Sequence, residues 1–212
     1  MNPQIIDNHG SISAIKVMPK TQPPVKLRLW TIEEYHRMAE VGILQPDESV
    51  ELIAGQIIKK MSPQGSPHAA SIRRTDRVFS HRLTEQVLIQ KQLPIQLNDR
   101  SEPEPDVAIV RVDPLDYADH HPLASDIYLI IEVADTSLQI DYQIKARDYA
   151  QSGIADYWVL DLKHRQLHVF RQPTPEGYQS EVILAEDASV SPLQFPSCTI
   201  TVSELLPPVI ES

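Results

Sequence analysis

The chain has 212 residues, one cysteine, eighteen prolines, six glycines and a formal net charge of -10, with 42% apolar and 23% charged residues. That length suits one domain with a sizeable core, and the composition excludes a collagen, a coiled coil and a fully disordered chain. A lone Cys198 excludes an internal disulfide or a cysteine-only metal site and fits a reducing, cytoplasmic setting, while no apolar run is long enough to read as a signal peptide or to span a bilayer.

Residues 1–26 lack periodicity and end in a Pro-Pro pair, so they are expected to form a flexible tail. Residues 207–212 are expected to form a shorter one, with a single domain over 27–206 between them. The first helix opens at Thr31, where Thr31-Ile-Glu-Glu34 has the form of a capping box, and it stops near Gly42. Two β-prone runs, 49–53 and 56–61, flank Ala54-Gly55 and predict a hairpin. Alternation with Val50 and Leu52 leaves Glu51 as either an outward-facing residue or part of a site. Ser66-Pro67 opens a second helix. It carries Ile72, Phe79 and Leu83 on one face and Arg73, Arg77 and His81 on another. The window 68–91 has a net charge of +3, which leaves -13 on the rest of the chain. A broad polyanion-binding footprint is therefore not expected, and the arginines read first as a solvated helix face.

Short strands are expected at 87–92, 95–97 and 106–110, and a polar loop at 113–125. The continuous apolar run 127–133 predicts a central strand buried on both faces. A helix from about Leu138 to Ser152 ends at Gly153, followed by strands at 157–162, 166–171 and 179–184 and a short element near 202–206. The pattern is α/β, with a mixed central sheet flanked by helices.

Two acids stand out. Asp106 opens a strand, and Glu132 lies inside an apolar one, where a carboxylate needs an ion partner, a metal or a water-facing strand end. Asp141, Lys145 and Tyr149 follow at i, i+4 and i+8 on one helical face, either as an ordinary helical ion pair or as a lysine held over those acids. Gly-rich phosphate loops, a nucleophile elbow and a helical zinc pair are missing, and His120-His121 are adjacent surface residues of a loop.

Pro105-Asp106, Glu132 in its apolar strand and a nearby lysine resemble the PD-(D/E)XK nuclease pattern. More closely, the chain resembles the Uma-two family of restriction-endonuclease-like proteins. The resemblance is carried by Trp30-Thr-Ile-Glu-Glu-Tyr35, Val50-Glu-Leu-Ile-Ala-Gly-Gln56, Met61-Ser-Pro63 with His68, and Pro105-Asp-Val107. It continues in Ile131-Glu-Val133, Thr136-Ser137, Asp141 with Lys145 and Tyr149, and Gly153 to Trp158. The position two residues after the glutamate, where the general pattern has its lysine, holds Ala134; the resemblance moves the amine to Lys145.

The resemblance implies a restriction-endonuclease-like fold and a Mg²⁺- or Mn²⁺-dependent endonuclease acting on DNA through a metal-activated water. It implies Asp106, Glu132 and Lys145 as catalytic residues with Glu51 as a fourth. The metal would be held by Asp106, Glu132 and the carbonyl of Val133, and Tyr149 and Asp141 would orient Lys145. His68, Arg73 and Arg77 would be phosphate contacts, although a lone histidine at a helix start reads more simply as a cap or surface residue and the arginines as a solvated or partner-binding face. It also implies a homodimer, with no membrane and no nucleotide cofactor. The rival expectation is a catalytically inactive nucleic-acid or protein-interaction module on the same fold, favoured by the negative charge and by Ala134.

Overall fold

A computed structural model describes residues 26–60, 65–134 and 144–209. The expected tail over 1–26 thus lies almost wholly outside the described residues, as do Met61-Ser-Pro63, Thr136-Ser137, Asp141 and the start of the helix expected from Leu138.

Helix α1 (Ile32–Glu40) begins as the sequence predicts. The Thr31 hydroxyl accepts the Glu34 N–H at 3.2 Å, and the Glu34 carboxylate accepts the Thr31 N–H at 3.1 Å. Strands β1 (Val50–Ile53) and β2 (Gln56–Lys59) form the hairpin, turning through Ala54 and Gly55, both at positive φ. Helix α2 (Ser66–Leu83) follows with Pro67 in its first turn.

A six-stranded sheet then forms in the order β3-β4-β5-β6-β7-β8: Leu88–Gln90, Val107–Val110, Ile127–Ala134, Asp156–Asp161, Gln166–Thr174 and Gly177–Ala185. All neighbouring pairs are antiparallel except β5 with β6. A parallel pair needs a crossover, and residues 144–151 supply part of it as a π-helical turn leading into helix α3 (Ala146–Gln151). The two-stranded pair β9 (Ser189–Val190) and β10 (Ile200–Thr201) and helix α4 (Val202–Leu205) complete the described chain.

The run 127–133 is indeed a central strand buried on both faces. Alternation sends Leu129, Ile131 and Val133 to one face, in a core with Ile72, Phe79 and Leu83 of α2 and with Leu205 of α4. Ile130 and Ala134 face the other side, in a core with Ala146 and Tyr149 around α3. Glu132, between them in the alternation, therefore faces α3 as well. The strand expected at 95–97 does not form: Gln96 makes a single bridge to Leu123, Pro94 lacks a ladder donor and Gln92 sits at φ +53°.

Candidate active site

Register brings the acids together. In the β4–β5 pair Val107 lies opposite Ile131, which sets Asp106, one residue before, beside Glu132. The Asp106 N–H donates to Glu132 Oε2 at 3.3 Å, and the Val133 N–H donates to Asp106 Oδ2 at 2.9 Å. Asp106 is 7% and Glu132 3% exposed. Neither is the water-facing strand end that the sequence left open.

Lys145, at the π turn before α3, is 5% exposed and places its Nζ 3.0 Å from Glu132 Oε1. The Tyr149 hydroxyl, one turn on, donates to the same oxygen at 2.9 Å. Lys145 thus reaches Glu132 from the crossover between β5 and β6. Tyr149 is braced from below by Tyr157, ring centroids 4.9 Å apart, and Tyr157 stacks on Phe170 at 5.4 Å. Burial, with the neighbouring Glu132 charge, holds the Tyr149 hydroxyl well above its ordinary pKa, so it serves as a donor.

Glu51 corrects the outward-facing alternative. It is 4% exposed, and its Oε1 lies 3.1 Å from Lys145 Nζ. Simple alternation fails because β1 is buried at Glu51 as well as at Leu52 and Ile53, and residues 100–102 continue the hairpin along its edge and turn. Leu52 C=O accepts the Glu102 N–H, the Ala54 N–H donates to Ser101 Oγ, and the Gly55 N–H donates to the Arg100 carbonyl. Trp30 crosses the turn so closely that a Cβ on Gly55 would stand 2.7 Å from Leu29 Cβ.

His68 is likewise no surface cap. It is buried, with Nε2 3.0 Å from Asp106 Oδ2. Burial alone would raise the Asp106 pKa. The His68 hydrogen bond and charge, the Val133 N–H and Lys145 outweigh it and hold the carboxyl below its ordinary value. The arginine face of α2 divides. Arg74 donates to the Ser203 and Glu204 carbonyls and Arg82 pairs with Glu204, which ties both to α4. Arg73 and Arg77 lie exposed.

Among the buried acids that the sequence reading passed over are Asp148 and Asp156. Asp148 of α3 accepts the Ser101 hydroxyl at 3.0 Å on one oxygen, while the other has no hydrogen-bond partner among the described residues. Fully buried Asp156 accepts the Trp158 indole N–H, the Arg171 guanidinium and the Leu193 N–H. For Asp156 the signal was available, since it heads the buried run Tyr157 to Leu160; Asp148, next to exposed Arg147 in α3, gave none.

Hard oxygens on adjacent strands suit a small divalent cation, which keeps most of its waters and takes one or two carboxylates. Three buried acids (Glu51, Asp106, Glu132) stand against one buried ammonium and an imidazole, a charge balance that favours an added cation. Among the described residues no three His, Cys, Asp or Glu side chains enclose an ion by themselves.

A mixed six-stranded sheet with paired acids and a lysine delivered from its crossover defines a restriction-endonuclease-like α/β protein. The chain belongs to the family described as "Uma2: Putative restriction endonuclease", whose model matches residues 32–203. A crystal structure of a putative nuclease belonging to DUF820 from Anabaena variabilis ATCC 29413 shares the fold, with a TM-score of 0.65 at 19% identity over 82% of this chain and 96% of that one. No curated protein matches the chain.

Proposed function

We propose that this chain is a Mg²⁺- or Mn²⁺-dependent nuclease that hydrolyses phosphodiester bonds in DNA. The observation that carries the reading is the buried meeting of Asp106, Glu132 and Lys145, where Lys145 Nζ lies 3.0 Å from Glu132 Oε1 and the Asp106 N–H donates to Glu132 Oε2. Asp106 and Glu132, with the Val133 carbonyl, would hold the ion. A bound divalent ion supplies Lewis-acid polarisation of a phosphate and acidification of a water.

The chain's own residues do the rest. The Val133 N–H and His68 fix Asp106 with its oxygens ionised. The Tyr149 hydroxyl holds Glu132 Oε1 beside the ammonium. Lys145 then presents a fixed positive charge to the phosphoryl oxygens as charge develops on them, an interaction strongest in a site shielded from water. Arg73 and Arg77 would contact phosphates further out, and His68 would act through Asp106. Asp141 keeps the role in orienting Lys145 that the family resemblance gives it.

A two-fold homodimer, suited to the two strands of a duplex, and a reducing cytoplasmic setting belong to the same reading. No helix among the described residues is long and apolar enough to cross a membrane. The competing reading, a non-catalytic interaction module, draws on the net charge of -10 and on the lack of a closed three-ligand cage among the described residues.

The test is plasmid nicking with Mg²⁺ or Mn²⁺ by the wild type, Asp106→Asn and Glu132→Gln. The wild type should nick, and each variant should lose more than the roughly 10–100-fold that loss of an outer partner costs a metal site. Nicking that survives both substitutions, or a wild type that binds neither ion at millimolar concentration, refutes the nuclease.

A further inference from the structure

Glu132 is used from two sides. Its Oε1 accepts Lys145 Nζ and the Tyr149 hydroxyl, while its Oε2 faces Asp106, whose N–H it accepts. Asp106 stands on the Oε2 side, and Glu51 stands on the Oε1 side, across the ammonium.

The Glu51 carboxylate is committed at both ends. Oε1 lies 3.1 Å from Lys145 Nζ, and Oε2 accepts the Glu104 N–H at 3.1 Å. The support is itself anchored: Glu104 pairs with Lys60 at 2.7 Å, the Tyr35 hydroxyl donates to the Val50 carbonyl, and the hairpin hangs on residues 100–102. Glu51 is thus held by the hairpin and residues 100–104, elements other than the strand that bears Glu132. A lysine has four rotatable side-chain bonds, and one acceptor leaves its head free to swing. Two acceptors from different elements fix it.

We infer that Glu51 is the positioning residue of Lys145 and not a ligand of the ion. This rests on the nuclease reading above. The two acids divide the work: Glu132 turns one oxygen to the ion and one to the lysine, and Glu51 serves the lysine alone.

The test uses the full chain as wild type, Glu51→Gln, Glu132→Gln, Lys145→Met and the Glu51→Gln/Lys145→Met double variant. Glu51→Gln keeps an acceptor for the Glu104 N–H and removes the charge beside Nζ. Three measurements are made: Mn²⁺ binding by calorimetry, plasmid-nicking rate at saturating Mn²⁺, and reductive methylation of Lys145 read by mass spectrometry. In Glu51→Gln, Mn²⁺ affinity should stay within about threefold of wild type, since no ligand is lost, while the nicking rate falls about 10–100-fold, the usual cost of an outer partner. Lys145, protected in the wild type, should become methylated. The double variant should nick no more slowly than Lys145→Met, because Glu51 acts only through the lysine.

A Mn²⁺ affinity that falls in Glu51→Gln as far as in Glu132→Gln makes Glu51 a ligand and overturns the inference. So does a Lys145 that stays protected in Glu51→Gln. If the wild type neither binds Mn²⁺ nor nicks, the nuclease reading fails and the inference with it, whereas a failure confined to the Glu51 comparisons leaves the nuclease standing. Should Glu51→Gln not fold, Glu51→Asp keeps the charge and draws it back by one methylene. It should expose Lys145 with Mn²⁺ affinity intact, and loss of that affinity overturns the inference equally.

Discussion

Replacing Asp148 by asparagine is expected to stabilise the protein at neutral pH and to bring no gain in acid. Burial pushes the Asp148 carboxyl from its ordinary 3.8 up to about 6, against the opposing effect of the Ser101 hydrogen bond. The folded chain therefore holds this proton more tightly than the unfolded chain. The stability it confers is fully present below about pH 4 and is lost as pH rises through 6. At about 1.4 kcal/mol per pH unit, the gap between the two values costs the wild type about 3 kcal/mol at pH 7.5. Asparagine keeps an acceptor for Ser101 and does not ionise. Its amide replaces an oxygen that has no partner among the described residues, so a buried donor left unsatisfied returns about 1 kcal/mol of the gain. The net expectation is a variant about 2 kcal/mol more stable than wild type at pH 7.5, and equal or slightly weaker at pH 4. Urea unfolding of both proteins at the two pH values measures it. A stability difference that does not change between pH 4 and pH 7.5 would refute the reasoning, because it would mean that Asp148 titrates alike in the folded and unfolded chains.

Arg171→Met should cost about 3 kcal/mol in urea unfolding, at the low end for breaking a buried pair, because Asp156 keeps the Trp158 and Leu193 N–H donors; a loss under about 1 kcal/mol would show that those two donors suffice. Gly55→Ala should destabilise by more than about 1 kcal/mol, since φ is +76° and the new methyl would meet Leu29 Cβ at 2.7 Å and the Trp30 carbonyl at 3.2 Å. Circular dichroism melting reads it, and an unchanged midpoint would mean that the 29–30 segment gives way at no cost.

Features that depend on neighbours in sequence were legible. The Thr31 capping box, the turn at Ala54-Gly55, the Ser66-Pro67 helix start and the buried strand through Glu132 are written in residues a few positions apart, and they form as read. What the sequence hid depends on elements far along the chain. Period-two alternation left Glu51 open between water and a site, because the groups that meet it, Lys145 Nζ and the Glu104 N–H, lie far along the chain. His68 read as a surface residue because Asp106, its partner, lies 38 positions on. Residues 95–97 have β-prone side chains, but the backbone around Gln92 and Pro94 diverts them to a single bridge. The family pieces named the main acids and the lysine; their contacts and burial came only with the fold.

The parallel pairing of β5 and β6 has a consequence for how such a site can be assembled. Parallel strands oblige the chain to cross back over the sheet, and the described part of that return, residues 144–151, sets Lys145 and Tyr149 against Glu132 near the end of β5. A cation can therefore be delivered to the same point either from the strand itself or from the path that follows it. Ala134 vacates the first route and Lys145 takes the second. In this chain the nitrogen beside Glu132 comes from a residue eleven positions beyond Ala134.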